Sequence, residues 1–163
     1  MFREMRRARQ QLSRAECDAI LQRGSSGVLA LAGDDGYPYA VPISYLYDGT
    51  GLYFHCAVTG HKLDAIRRCD KASFCVVDQD QVVPREYTSY FRSVIAFGRI
   101  AILEEEAEKR AAIEKLALKY APGDDAAHRE EIIRREWEPL CMLRMTIDHL
   151  TGKEAIELTR RRG

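Results

Sequence analysis

Thr59-Gly60-His61-Lys62 sets a hydroxyl, a glycine, an imidazole and an ammonium side by side where an apolar run gives way to helical spacing. At a helix N-terminus the first amides lack intrahelical acceptors and the macrodipole favours an anion. Thr59 can cap such a turn, and His61 and Lys62 add two donors, so the group suits a phosphate. An ordinary strand-to-helix turn with a solvated Lys62 has the same residues. Upstream, Val41-Pro42-Ile43-Ser44-Tyr45 puts a proline inside a strand-like run. Proline cannot donate to a ladder, so either neighbouring backbone groups face a flat ligand or this is an edge strand or bulge. Tyr90-Phe91-Arg92-Ser93-Val94 raises a similar choice. A buried Arg92 demands an anionic or hydrogen-bonding partner, whereas alternation onto the wet face removes the demand. His55 titrates near neutral pH and is a candidate proton donor beside the phosphate corner, although a purely structural histidine fits the same place.

These residues must be held by the elements around them. Ser13-Arg14-Ala15-Glu16 is a capping box, and Cys17, Ile20, Leu21 and Gly24 give a short first helix that ends at Gly24. Three strands then follow, at 28–32, 37–47 and 52–56, separated by Asp34-Asp35-Gly36 and Asp48-Gly49 turns. Residues 60–69 read as an amphipathic helix, 72–77 and 90–103 as strands, the second with a bulge or bend tolerated at Gly98. Ile113, Leu116, Ala117 and Tyr120 mark one face of a helix stopped by Pro122-Gly123; further helix runs to about Trp137, and 140–147 returns to strand. The sum is a mainly β (α+β) fold: six or seven antiparallel strands with peripheral helices, whose exposed edges closure into a barrel would remove.

Composition narrows the function classes. The 163 residues, 46% of them apolar, read as one domain over 1–163, with 1–12 and 159–163 as flexible tails. Lys plus Arg equal Asp plus Glu at 25 each, so no net field draws the chain to nucleic acid or an anionic membrane. The five cysteines are scattered and contain no C-x-x-C pair, so reduced thiols in a cytoplasmic setting are expected and a metal site is not. No export signal is expected from Arg6-Arg7 followed by polar residues, and no apolar run in the sequence is long enough to span a bilayer.

Four stretches, in this order, resemble the pyridoxamine-phosphate-oxidase-like flavoproteins, and among them the nitroimidazole-resistance (Nim) proteins. They are Val41 to Tyr45; Tyr53-Phe54-His55-Cys56-Ala57-Val58-Thr59-Gly60-His61-Lys62-Leu63-Asp64; Tyr90 to Val94 with Gly98; and Ile147-Asp148 through Thr151-Gly152-Lys153-Glu154. The resemblance implies an FMN-binding split β-barrel that forms a homodimer through its sheet surface, with two flavins at the interface. It implies that His61 and Lys62 hold the FMN phosphate, that Pro42, Ile43 and Ser44 line the ring, and that Arg92, Ser93 and Val94 complete the pocket, with FAD as the alternative flavin. His55 then lies beside the flavin as the catalytic candidate. The implied activity is reduction of nitroaromatic or similar small molecules with NAD(P)H as donor. The tail Leu158-Thr159-Arg160-Arg161-Arg162-Gly163 departs from the Arg-containing, proline-ending tail of true pyridoxamine-phosphate oxidases, which argues against vitamin B6 oxidation. A flavin- or haem-binding protein without turnover is the competing reading; a transcriptional regulator is disfavoured by the balanced charge and the lack of a helix-turn-helix.

Overall fold

In the computed structural model, which describes residues 1–162, the capping box is formed. The Ser13 amide donates to the Glu16 carboxylate at 2.7 Å and the Glu16 amide to Ser13 Oγ at 3.3 Å. They open helix α1 (Arg14–Arg23), whose Cys17, Ile20 and Leu21 are buried and which ends at Gly24. Strands β1 (Ser26–Ala32), β2 (Pro38–Ser44), β3 (Leu46–Tyr47) and β4 (Gly51–Ala57) follow, then helix α2 (His61–Arg68). The long hairpin of β5 (Lys71–Val83) and β6 (Thr88–Ile102), helices α3 (Glu106–Tyr120) and α4 (Ala126–Glu136), strand β7 (Leu140–Glu154) and helix α5 (Ile156–Arg162) complete the chain.

All seven strands form one antiparallel sheet in the order β2-β1-β5-β6-β7-β4-β3. The two edge strands, β2 and β3, are successive pieces of one chain segment interrupted only at Tyr45, so the sheet must curl until its edges meet there. The expected single strand over 37–47 is thus split, and the hydrogen-bonded ladder does not close. The cause lies in α3: the Tyr45 amide donates to Tyr120 Oη at 3.0 Å, and its carbonyl accepts from Lys119 Nζ at 2.9 Å. The amide keeps only a long 3.4 Å bond to the Ser25 carbonyl, and side chains of α3 supply the closer partners. Inside the curl Tyr45, Phe54 and Phe74 are fully buried, with ring centroids 4.9 and 5.1 Å apart in edge-on pairs, among Leu29, Leu52, Leu143 and Met145. Each such side chain contributes about 1.5–3 kcal/mol by leaving water.

Two strands run further than their sequence pattern predicts. The polar stretch after Val77 continues β5 to Val83 because it pairs with Thr88 to Arg92 of β6, and Thr151 to Glu154 continue β7 against Arg92 to Ile95. Pairing in the assembled sheet overrides weak local alternation. The irregularity expected at Gly98 is present: the β6–β7 register shifts between Phe97 and Gly98, and a Cβ at Gly98 would lie 1.8 Å from the Thr146 carbonyl oxygen. Gln10 and Leu12 are buried and the Leu12 amide donates to Gly152 O at 2.9 Å, while α5 packs Leu158 against Tyr90 and Ala155. Gly163 lies outside the described residues. No helix among the described residues is long and apolar enough to cross a membrane.

Candidate functional site

The corner after β4 is built by Gly60. Its φ of +128° lies in the left-handed region, and nothing stands within 4 Å of where a Cβ would be. Gly60, not Thr59, occupies the N-cap, and no side chain caps α2. The Gly60 carbonyl accepts from the Leu63 and Asp64 amides at 3.0 and 3.2 Å. The His61 and Lys62 amides precede that first closed turn and have no intrahelical acceptor. Both residues line a cleft of about 220 Å³ together with Tyr39, Cys56, Ala57, Thr59, Gly60 and Leu63. Leu63, Ala65 and Ile66 bury the opposite face of α2 and fix the helix against the sheet.

The charge balance in the cleft is positive. The His61 ring stacks on Tyr39 with centroids 4.1 Å apart, and its Nε2 lies 3.4 Å from Asp34 Oδ2. Asp34 is itself paired with Arg68 at 2.5 Å, so the carboxylate is compensated before it meets an incoming anion. Lys62 forms no salt bridge among the described residues. Its ammonium acts on His55, whose pKa is held below the ordinary imidazole value by surrounding protein mass first and by Lys62 second. His55 is therefore neutral at pH 7, able to accept or donate a proton. It pairs with Met142 in the β4–β7 ladder and is not among the residues lining the cleft. Cys56, its neighbour, does line it, and burial above all pushes that thiol up to about 12.

Register places the other predicted residues. Pro42 lies on the edge strand β2, opposite Val28, where its missing N–H costs no ladder bond. The row continues through Cys75 and Ile95 to Thr151, and the neighbouring one runs Ala40, Ala30, Ser73, Phe97, His149. The two rows share an open, small and apolar sheet face on which Val28 and Ile95 are exposed, and Phe2 stacks on His149 at 4.6 Å. Tyr39, Val41 and Ile43 alternate to the other side and pack on the core, so Ile43 presents only backbone to the open face. Tyr39 joins β2 to the His61 corner, and Pro42 is three residues, about 10 Å, along the same strand.

The third predicted group stands apart within one chain. Strand β6 is three positions from β2, about 14 Å at the usual strand spacing. Ser93 alternates with Ile95 toward the open face, whereas Val94 is wholly buried. Arg92 has internal partners, Asp78 at 3.3 Å and the buried Glu154 at 3.2 Å, so its need for an anion is met by the fold. Burial works to raise the Asp78 carboxyl, but Arg23 and Arg92 outweigh it and hold the pKa below the ordinary value. The sequence reading did not single out Tyr39, Asp34 or Arg68; only the stacking on His61 and the ion pair distinguish them. Larger hollows, about 500 and 490 Å³, lie along the N-terminal segment at Arg6 to Gln10 and at Met1 to Met5. The first gathers Arg6, Arg7 and Arg9 with Ile156 at the start of α5; what sets the smaller cleft apart is Gly60, whose lack of a side chain leaves open space beside the His61 and Lys62 backbone.

A curled antiparallel sheet, split at one edge and with an uncapped helix start beside it, defines the split-barrel class. The family model for pyridoxamine 5'-phosphate oxidase matches residues 13–154, and the chain belongs to that family. A solved FAD-binding protein from Mesorhizobium loti is similar at 25% identity, with a TM-score of 0.66 over 90% of this chain and 97% of that one. An FAD and heme binding protein from Mycobacterium smegmatis is similar at 23% identity and TM-score 0.74, covering 94% and 80%. A candidate 5-nitroimidazole antibiotic resistance protein from Bacteroides thetaiotaomicron shares the fold at 20% identity and TM-score 0.73, covering 88% and 86%. An uncharacterized protein of Rhizobium meliloti is 33% identical over 88 residues, 54% of this chain. The match spans about half of that relative's length, 53%.

Proposed function

We propose that the protein binds a flavin, FMN in the first instance, and uses it to reduce small oxidised molecules such as nitroaromatic compounds with electrons from NAD(P)H. The observation that carries this reading is the cleft at residues 59–63, where the uncapped start of α2 and Lys62, which has no ion pair among the described residues, meet beside the edge strand that carries Pro42 and Ser44. These residues fit the group: Gly60 leaves room beside the backbone, and the donors suit a phosphate. In this reading Lys62 and His61 bind the phosphate, and the backbone at Pro42 and Ile43 with the Ser44 hydroxyl lies along the ring. The open sheet face buries itself against a second copy, so that Ser93 of one chain approaches the flavin held by the other. His55, kept neutral, holds a proton for the acceptor. Bound flavin supplies the two-electron chemistry, and the protein supplies position and access. The M. loti and M. smegmatis proteins support the flavin, and their FAD makes the choice between FMN and FAD a direct measurement.

The visible spectrum of the purified protein, with mass analysis of the released ligand, tests the reading. A yellow protein releasing FMN is expected; a colourless one that stays so with added FMN or FAD overturns it. The double variant His61→Ala, Lys62→Ala removes charge-assisted hydrogen bonds of about 1.5–3 kcal/mol each, so flavin affinity falls tenfold or more in fluorescence titration. Unchanged affinity rejects this phosphate site. The M. smegmatis FAD and heme binding protein favours, as second reading, flavin or haem binding without turnover. Colour that neither NADH nor NADPH bleaches, or a Soret band, selects it.

A further inference from the structure

Cys56 and Cys141 are far apart in the chain but stand directly opposite each other in the β4–β7 ladder. Facing residues of an antiparallel pair have Cα atoms about 4.5 or 5.5 Å apart, according to the kind of pair, and share one face of the sheet. A disulfide spans Cα separations of about 4.4–6.8 Å, so either kind admits the bond with little backbone movement. Both are free thiols, within hydrogen-bonding reach of one another. Their exposures differ usefully: half-buried Cys56 lines the cleft, where a small molecule reaches it, and Cys141 stands buried behind it.

We infer that Cys56 and Cys141 are a dithiol that closes reversibly into a cross-strand disulfide in the wall of the cleft, with a small-molecule disulfide as oxidant. The Cys56 thiolate attacks one sulfur of the oxidant, forming a mixed disulfide and releasing one thiol. Cys141 then gives up its proton and attacks the Cys56 sulfur, forming the cross-strand bond and releasing the second thiol. Two protein thiols lose two electrons, and the oxidant disulfide is reduced to two thiols. Burial and the neighbouring Cys141 raise the Cys56 pKa, only partly offset by Lys62. Thiolate is therefore scarce at neutral pH, and closure is slow there, rising about tenfold per pH unit through the mildly alkaline range. The pairing stands independently of the flavin reading.

The five cysteines fall on five separate tryptic peptides, with Cys56 in residues 24–62 and Cys141 in 136–144. Native protein incubated with oxidised glutathione near pH 9, then alkylated and digested, is expected to lose two of its five thiols and to yield those two peptides joined. Dithiothreitol restores all five. Recovery of every cysteine alkylated, of Cys56 only as a glutathione adduct, or of a link to Cys17, Cys69 or Cys75 overturns the inference. In Cys141→Ala the adduct on Cys56 persists without closing; loss of the adduct to another cysteine likewise counts against it.

Discussion

Asp48 shows how one carboxylate ties a tight turn to the edge of the sheet. It accepts from the Thr50 amide at 2.9 Å, the Thr50 hydroxyl at 2.8 Å and the Gly51 amide at 2.9 Å. Burial works to raise its pKa, but these donors and Tyr53 outweigh it and hold the value at about 2, against 3.8 unperturbed. Because the folded value is the lower one, the stabilisation is complete above pH 3.8 and is lost as pH falls from there through about 2. Asp48→Ala is expected to cost about 1 kcal/mol at pH 7, since the site is exposed and screened, and clearly less near pH 2, where half of the carboxylate is protonated. Chemical denaturation at the two pH values checks it; equal losses at both reject the role. At the same scale, the sequence made His61 and Lys62 legible because a helix start advertises itself locally. It left Arg92 open, because only the fold supplies Asp78 and Glu154.

Among the elements, α3 acts as a clasp. Its last turn places Lys119 over the Tyr45 ring at 4.2 Å, donating to the Gly24 and Tyr45 carbonyls at 2.5 and 2.9 Å, with Tyr120 beside it on Tyr45 and Ser25. These contacts hold the break between β2 and β3 and tie it to the end of α1. Lys119→Met keeps the apolar stem but strips the Gly24 carbonyl of its ammonium donor and leaves the Tyr45 carbonyl to Tyr120 alone, a loss of about 1–3 kcal/mol. The melting temperature is expected to drop by about 2–4 °C for each kcal/mol in a chain of this size. An unchanged melting temperature removes the clasp from the account. Periodicity over Ile113, Leu116, Ala117 and Tyr120 announced this helix, but not that its end would stand in for a missing strand neighbour.

At the scale of the whole molecule, the open face of β2, β1, β5, β6 and β7 bears on assembly. Its central row of Pro42, Val28, Cys75, Ile95 and Thr151 carries no charge. The proposed dimer buries that face, and Ile95→Glu places a charge at its centre. Sedimentation is expected to show a dimer for the native chain and a monomer for the variant, with matching circular dichroism because Ile95 is already exposed. A native monomer at micromolar concentration, or a variant that remains dimeric, rejects the arrangement. Gel filtration alongside flavin titration then shows whether the monomer still binds.

The sequence by itself determined most elements and their antiparallel character, the bend at Gly98, the first helix with its capping box and the helix start at Gly60 to Lys62. All of these are set by residues within a few positions of one another: turn chemistry, alternation and capping act over a handful of bonds. The tertiary structure decided what depends on register between distant strands: that Tyr45 splits one strand into the two edges of the sheet, that Arg92 finds its anions inside the fold, that Tyr39 stacks on His61, and that Cys56 faces Cys141. Cysteines with no diagnostic spacing became neighbours only when β4 paired with β7, because ladder contacts are fixed by how the whole sheet curls around one core and not by local propensity.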